Sequence, residues 1–317
     1  MAAKRTEQQH RNAGGLDMQP PATVLRLLAE AQIEAARAVL DATGTIAAAA
    51  EIGAETLRNG GRIAYAAAGS SGLMALADAL ELPGTFGIPR DRIVVLMAGG
   101  MEALANLAGA PEDDTDQAKR DVADAGLSEG DCLIALSASG STPYAVAALE
   151  QARRRKLRTI AIANNPGTPL IELADAGIVL ATPPELIAGS TRMGAGTAQK
   201  VALNMLSTLM AIRLGHVHDG YMVNLQADNL KLKDRAARIV AAVSGCDADT
   251  AQRSLEEAGG SVKMAVLLAA GASGREAAAR MLDRSGQSLR AALSELARNR
   301  EAMAGSLDKD HSEVRAR

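Results

Sequence analysis

The stretch CLIALSASGSTPYAVAALEQARRRKLRTIAIA, residues 132–163, decides the fold. Cys132–Leu136 is a short apolar run with the length and composition of a strand buried on both faces. Ser137-Ala-Ser139-Gly140-Ser141-Thr142-Pro143 ends it with small and hydroxylated residues. Tyr144–Arg155 then has helix-forming character, and Thr159–Ala163 returns to a strand-like run. A strand, a helix and a second strand in that order are the unit of a parallel sheet.

The same alternation extends in both directions. Ile63–Ala68, Ile93–Met97 and Gly177–Ala181 are further β-like runs, and Leu73–Leu80, Thr115–Ala125 and Pro169–Ala174 are helix-forming stretches among them. Strands alternating with helices predict a three-layer α/β/α fold, flavodoxin-like or Rossmann-like, with both sheet faces covered. Upstream, Leu25, Leu28, Ile33, Ala36, Val39 and Leu40 recur at helical spacing until Gly60-Gly61. Gly194–Leu214 predicts a long helix. From about Asn229 the chain is helical in pattern, with three short helices joined by glycine turns across 239–265. The expected organisation is a flexible N-terminal arm (1–21), N-terminal helices (22–60), the α/β domain (61–228), a small helical domain (229–303) and a charged tail (304–317).

Composition narrows the function classes. The chain has 317 residues, 48% of them hydrophobic and 22% charged, as in a globular protein. Its formal net charge of −3 gives no electrostatic attraction toward nucleic acid or an anionic membrane. Tyr65, Phe86, Tyr144 and Tyr221 are the only aromatic residues, so stacking platforms for bases are scarce. No apolar run approaches the roughly 20 residues that span a bilayer. Cys132 and Cys246 stand far apart without CxxC spacing and read as reduced thiols of a cytoplasmic protein. The four histidines are scattered, so neither a metal nor another cofactor is expected.

In an open parallel sheet, ligands bind beyond the carboxyl ends of the strands, where helix starts offer free N–H groups. Two loops carry suitable residues there: Gly69-Ser70-Ser71-Gly72, and the loop holding Ser137, Ser139, Ser141 and Thr142. Each also fits a plain helix cap and turn. Neither matches GxGxxG or a P-loop, which disfavours nucleotides. A third segment, Gly189-Ser190-Thr191-Arg192 through Thr197 and Lys200, brings more hydroxyls and cations than a cap requires. The general acid/base candidates are carboxylates. Glu81 is expected to end a helix between Leu80 and Leu82, an apolar setting that keeps a proton available. Glu112 precedes a helix, where it fits either a base or a charge complementing the helix dipole. Glu185 is a third candidate.

Together, YxxxGSSG, DALELPGTFG, AGGMEAL, GAPEDD, SASGSTPY, NNPGT and AGSTRMGAGTAQKVALNMLST resemble the N-acetylmuramic acid 6-phosphate etherase family over nearly the whole chain. The resemblance implies a five-stranded SIS domain with a ubiquitin-associated-like helical domain, working as a homodimer with shared sites. It implies a phosphorylated amino-sugar substrate and cleavage of its D-lactyl ether in cell-wall sugar recycling. By motif, Glu81 would be the acid and Glu112 the base. Ser70, Ser71, Ser137, Ser139, Ser141, Thr142 and Ser190 would hold phosphate and sugar hydroxyls. Leu73 and Gly194 replace an arginine and a lysine common in the family. The SIS architecture also serves non-catalytic phosphosugar regulators and aldose–ketose isomerases, which are the competing expectations.

Overall fold

A computed structural model describes residues 5–300, so the charged tail expected at 304–317 lies outside the described residues. Five strands form one parallel sheet: β1 (Ile63–Ala67), β2 (Ile93–Met97), β3 (Cys132–Ser137), β4 (Arg158–Ala163) and β5 (Ala176–Val179). Their order is β2-β1-β3-β4-β5, the flavodoxin-like arrangement. Each strand falls on one of the apolar runs above. Parallel strands shielded on both faces need no polar alternation, which is why such runs are readable.

Successive side chains of a strand feed opposite layers. Ile63, Tyr65 and Ala67 join Ile134, Leu136, Ile160 and Ile162 in one core, against α2 (Thr43–Arg58), α3 (Gly69–Phe86) and α7 (Gly194–Arg213). Ala64, Ala66, Leu133, Ala135 and Ala161 build the other, against α4 (Thr115–Asp124) and α5 (Pro143–Arg154). α1 (Pro21–Arg37) precedes α2, and α6 (Pro169–Leu173) lies between β4 and β5. The scarcity of aromatic residues is met by close approach. A Cβ on Gly53 of α2 would fall 2.6 Å from Met210 Sδ of α7, so the methionine side chain packs directly on the glycine and would have to shift for a larger residue.

Two expectations change. The N-terminal segment, expected to be flexible over 1–21, is packed in its described part from Arg5 on: Thr6, His10 and Leu16 are buried, and short 3-10 turns form at Arg5–Glu7 and Leu16–Met18. The helix expected to end at Glu81 runs on through Pro83 to Phe86. Proline removes one N–H but leaves its carbonyl, and Gly87 N donates to Pro83 O at 2.9 Å.

The described residues form two compact units, one of 5–81 and 89–210 and the other of 82–88 and 211–300. The second unit therefore starts well before the boundary expected at 229. Val223 and Leu225 belong to its core, and Asn224 Nδ2 donates to Phe86 O at 2.9 Å. Its helices are α8 (Leu230–Ser244), α9 (Ala248–Glu257), α10 (Val262–Ala269) and α11 (Arg275–Arg284), with residues 289–300 also helical. The first three are the helices expected across 239–265. Among the described residues, no helix is long and apolar enough to cross a membrane.

Candidate active site

The chain runs from β1 outward to β2, then crosses to β3 and continues the other way. The carboxyl ends of β1 and β3 thus flank the switch point of the sheet, where open α/β sheets bind ligands. Both glycine–serine loops sit there. Ala67 of β1 pairs with Leu136 of β3, which places the start of α3 beside the Ser137–Thr142 loop.

The loop after β3 is a chain of hydroxyls. Ser137 Oγ lies 3.1 Å from Ser139 Oγ and 2.7 Å from Thr142 Oγ1, and Ser139 Oγ lies 3.3 Å from Ser141 Oγ. Gly140 N donates to Ser137 Oγ at 3.0 Å, and Ser141 N donates to Ser139 Oγ at 3.2 Å. Thr142 occupies the N-cap position of α5, yet its hydroxyl makes no capping bond. The cap half of the plain alternative therefore does not describe this loop, whereas its turn half does, through the Ser137 and Ser139 bonds to Gly140 N and Ser141 N. Gly140 needs its left-handed backbone (φ +70°), and a Cβ there would collide with Thr168 Oγ1 at 2.2 Å.

The loop after β1 is shorter. Ser70 is half-buried and Ser71 buried within the first turn of α3, where backbone N–H groups face outward along the axis. Glu112, on a 3-10 turn at Ala110–Asp113, reaches back to this helix start. Its Oε1 lies 2.7 Å from where a Cβ on Gly69 would stand. Burial raises the Glu112 carboxyl above its ordinary range, and the charge of Asp113 adds to the effect. Asp114, not Glu112, caps α4 by accepting from Gln117 N at 2.8 Å. Glu112 is thus turned away from the helix that follows it and toward the one that opens the candidate site.

Glu81 stands elsewhere. It lies on α3, twelve residues after Gly69, and is exposed rather than enclosed by its apolar neighbours. At about 1.5 Å per residue, its Cα is roughly 18 Å along the helix from that of Gly69. One chain therefore does not bring the Glu81 and Glu112 carboxylates together.

Ser190 is half-buried in the turn before α7, with its N–H donating to Ile187 O at 2.9 Å. Neither Ser190 nor Thr191 caps that helix through its side chain. Glu185 does: its oxygens accept from Gly194 N at 2.9 Å and Ala195 N at 2.8 Å, and it is buried. That accounts for Glu185 structurally. It also bears on Gly194, because a Cβ there would come within 3.1 Å of both Ala35 Cβ and Glu185 Oε2. Arg192 is exposed, and Lys200 Nζ donates to Asn204 Oδ1 at 2.9 Å.

Sequence reasoning missed a buried acid further along α3. Asp78 of α3 accepts from Tyr65 OH at 2.9 Å and from Ser207 Oγ at 3.0 Å. Burial pushes its pKa up to about 6, although both hydrogen bonds pull the other way. The cue was available: an aspartate one helical turn before Glu81, on a face otherwise filled by Ala75 and Ala79.

Comparison with known proteins gives this geometry its relatives. The SIS domain family matches residues 29–164, a stretch holding β1–β4, both glycine–serine loops and both carboxylates. The N-acetylmuramic acid 6-phosphate etherase of Deinococcus radiodurans is 44% identical over 279 residues, covering 88% of this chain and 92% of the relative. That of Symbiobacterium thermophilum is 47% identical over 244 residues, 77% of this chain and 81% of the relative. Among solved structures, a phosphoheptose isomerase from Francisella tularensis is 23% identical with a TM-score of 0.47, covering 62% of this chain and 98% of that one. With 44% identity over 88% of its length to one such etherase and 47% over 77% to another, the chain belongs to the N-acetylmuramic acid 6-phosphate etherase family.

Proposed function

We propose that this protein is a carbon–oxygen lyase that cleaves the D-lactyl ether of N-acetylmuramic acid 6-phosphate. The products are N-acetylglucosamine 6-phosphate and D-lactate, in recycling of cell-wall amino sugars. The observation that carries this assignment is the Glu112 carboxylate, raised in pKa and seated on Gly69, in a chain 44% identical to a named etherase.

In this mechanism the start of α3, with Ser70 and Ser71, and the hydroxyls of Ser137, Ser139, Ser141, Thr142 and Ser190 hold the phosphate and the sugar. The open-chain sugar has an aldehyde at C1 that acidifies the proton on C2. Glu112 takes that proton, the C3–O bond breaks, and the departing lactate oxygen is protonated by Glu81. Water then adds across the C2=C3 bond, hydroxyl to C3 and hydrogen to C2. A base works best when its pKa approaches the operating pH, and the burial of Glu112 moves it in that direction.

Glu81 enters this scheme from a second copy of the chain. The separation along α3 supports a homodimer with shared sites, and a partner would also supply the cover that exposed Glu81 lacks. A cytoplasmic location is supported by two free cysteines, one buried in the sheet.

The test is release of D-lactate from N-acetylmuramic acid 6-phosphate. Wild-type protein is expected to release it, and Glu112→Gln to lower the rate by about 10²–10⁴-fold. Undiminished release by the variant removes Glu112 from the mechanism. No release by the wild type removes the etherase assignment.

A further inference from the structure

Consecutive asparagines follow β4, and their amides serve different neighbours. Asn164 turns to α7: its Oδ1 accepts from Gln199 Nε2 at 3.0 Å, and its Nδ2 donates to Thr182 Oγ1 at 3.3 Å. Asn165 turns to the serine loop and to the N-terminal segment. Its Nδ2 donates to Ala138 O at 3.0 Å and to Thr6 Oγ1 at 3.2 Å. Asn165 is 3% exposed and Thr6 2%, so both are sealed from solvent. Thr6 has a second attachment, its carbonyl accepting from Gly189 N at 3.2 Å in the turn that carries Ser190.

The segment after β4 in turn braces the serine loop. Leu170 N donates to Gly140 O at 3.1 Å, and Thr168 fills the space in which a Gly140 side chain would stand. A residue near the start of the chain therefore links the Ser137–Thr142 loop to the Ser190 turn. The link has little redundancy, because Asn165 Oδ1 is buried with no hydrogen-bond partner among the described residues. Without Thr6 Oγ1 the amide would be left with Ala138 O alone, out of the four bonds it can make.

We infer that Thr6 is a positioning residue of the candidate active site, and that the N-terminal segment is a clasp holding both hydroxyl-bearing loops in one arrangement. Its consequence for turnover rests on the proposed etherase function; the clasp itself does not. In the proposed function these loops hold the phosphate and sugar hydroxyls, not the reacting C2–C3 bond. Loosening them weakens substrate and transition state alike, which appears in KM and leaves kcat nearly unchanged.

The test compares full-length wild type, Thr6→Val and Thr6→Ser. Valine keeps the shape and loses the acceptor; serine restores the acceptor. Hydrogen exchange of peptides spanning 137–142 and 164–168 is measured alongside KM and kcat for D-lactate release. In Thr6→Val, exchange in both peptides is expected to accelerate by about tenfold, and KM to rise by about tenfold with kcat within about twofold. Thr6→Ser is expected to return both toward wild type. Unchanged exchange in Thr6→Val overturns the clasp. A fall in kcat at constant KM overturns the positioning role. If the wild type releases no lactate, the etherase assignment fails, while the exchange data still decide the clasp.

Discussion

At the residue scale, Gly69 meets two demands at once. Its backbone is left-handed (φ +53°), and the Glu112 carboxylate occupies the space a side chain would take. Gly69→Ala is expected to cost about 1–2 kcal/mol in urea unfolding from backbone strain alone. It is also expected to displace Glu112 and reduce the kcat of lactate release by about tenfold or more. Destabilisation with an unaltered kcat would show that the seat of Glu112 is immaterial. Residue types were easier to read than partners. The hydroxyls of Ser137, Ser139, Ser141 and Thr142 were evident as candidate ligand groups, because serine and threonine cluster conspicuously after an apolar strand. That Glu185 rather than Ser190 caps α7 was not evident, since a carboxylate nine residues upstream of the helix follows no local capping rule. The pairing of Thr6 with Asn165, 159 residues apart, has no local signature at all.

At the element scale, the five strands were legible because continuous apolar runs are what a doubly covered parallel sheet demands. The length of α3 was not. Pro83 reads as a stop, yet the helix absorbs it and carries Glu81 in its interior. The same helix is tied to β1 and α7 by Asp78, whose environment includes Tyr65, Ser207 and the charges of Lys200 and Glu81. With a pKa of about 6 in the fold against an ordinary 3.8, Asp78 binds its proton more tightly folded than unfolded. Its contribution to stability therefore grows as pH falls through 6 and levels off below about 4. The gain is on the order of 2–3 kcal/mol. Chemical denaturation between pH 7.5 and 4.5 is expected to show a smaller stability gain on acidification for Asp78→Asn than for wild type. Parallel pH profiles would sever Asp78 from that dependence.

At the scale of the whole molecule, the proposed sharing of Glu81 and Glu112 between two chains can be tested by mixing variants. Glu81→Gln and Glu112→Gln proteins are each expected to be nearly inactive alone and to recover activity when unfolded together and refolded as a mixture. If each site takes one carboxylate from each chain, random pairing gives about half mixed dimers, each with one intact site of two. Recovery then approaches about a quarter of wild-type activity. A mixture that stays inactive despite forming mixed dimers would place both carboxylates in one chain. The small aromatic complement has a different, optical consequence. There is no tryptophan, and two of the three tyrosines donate their phenol protons to carboxylates, Tyr65 to Asp78 and Tyr144 to Asp121. Burial holds both phenols far above their usual ionisation range, whereas Tyr221 is 41% exposed. Ultraviolet absorbance of phenolate from Tyr65 and Tyr144 is thereby withheld until the sheet core opens, giving the protein its own spectroscopic gauge of alkaline denaturation without an added dye.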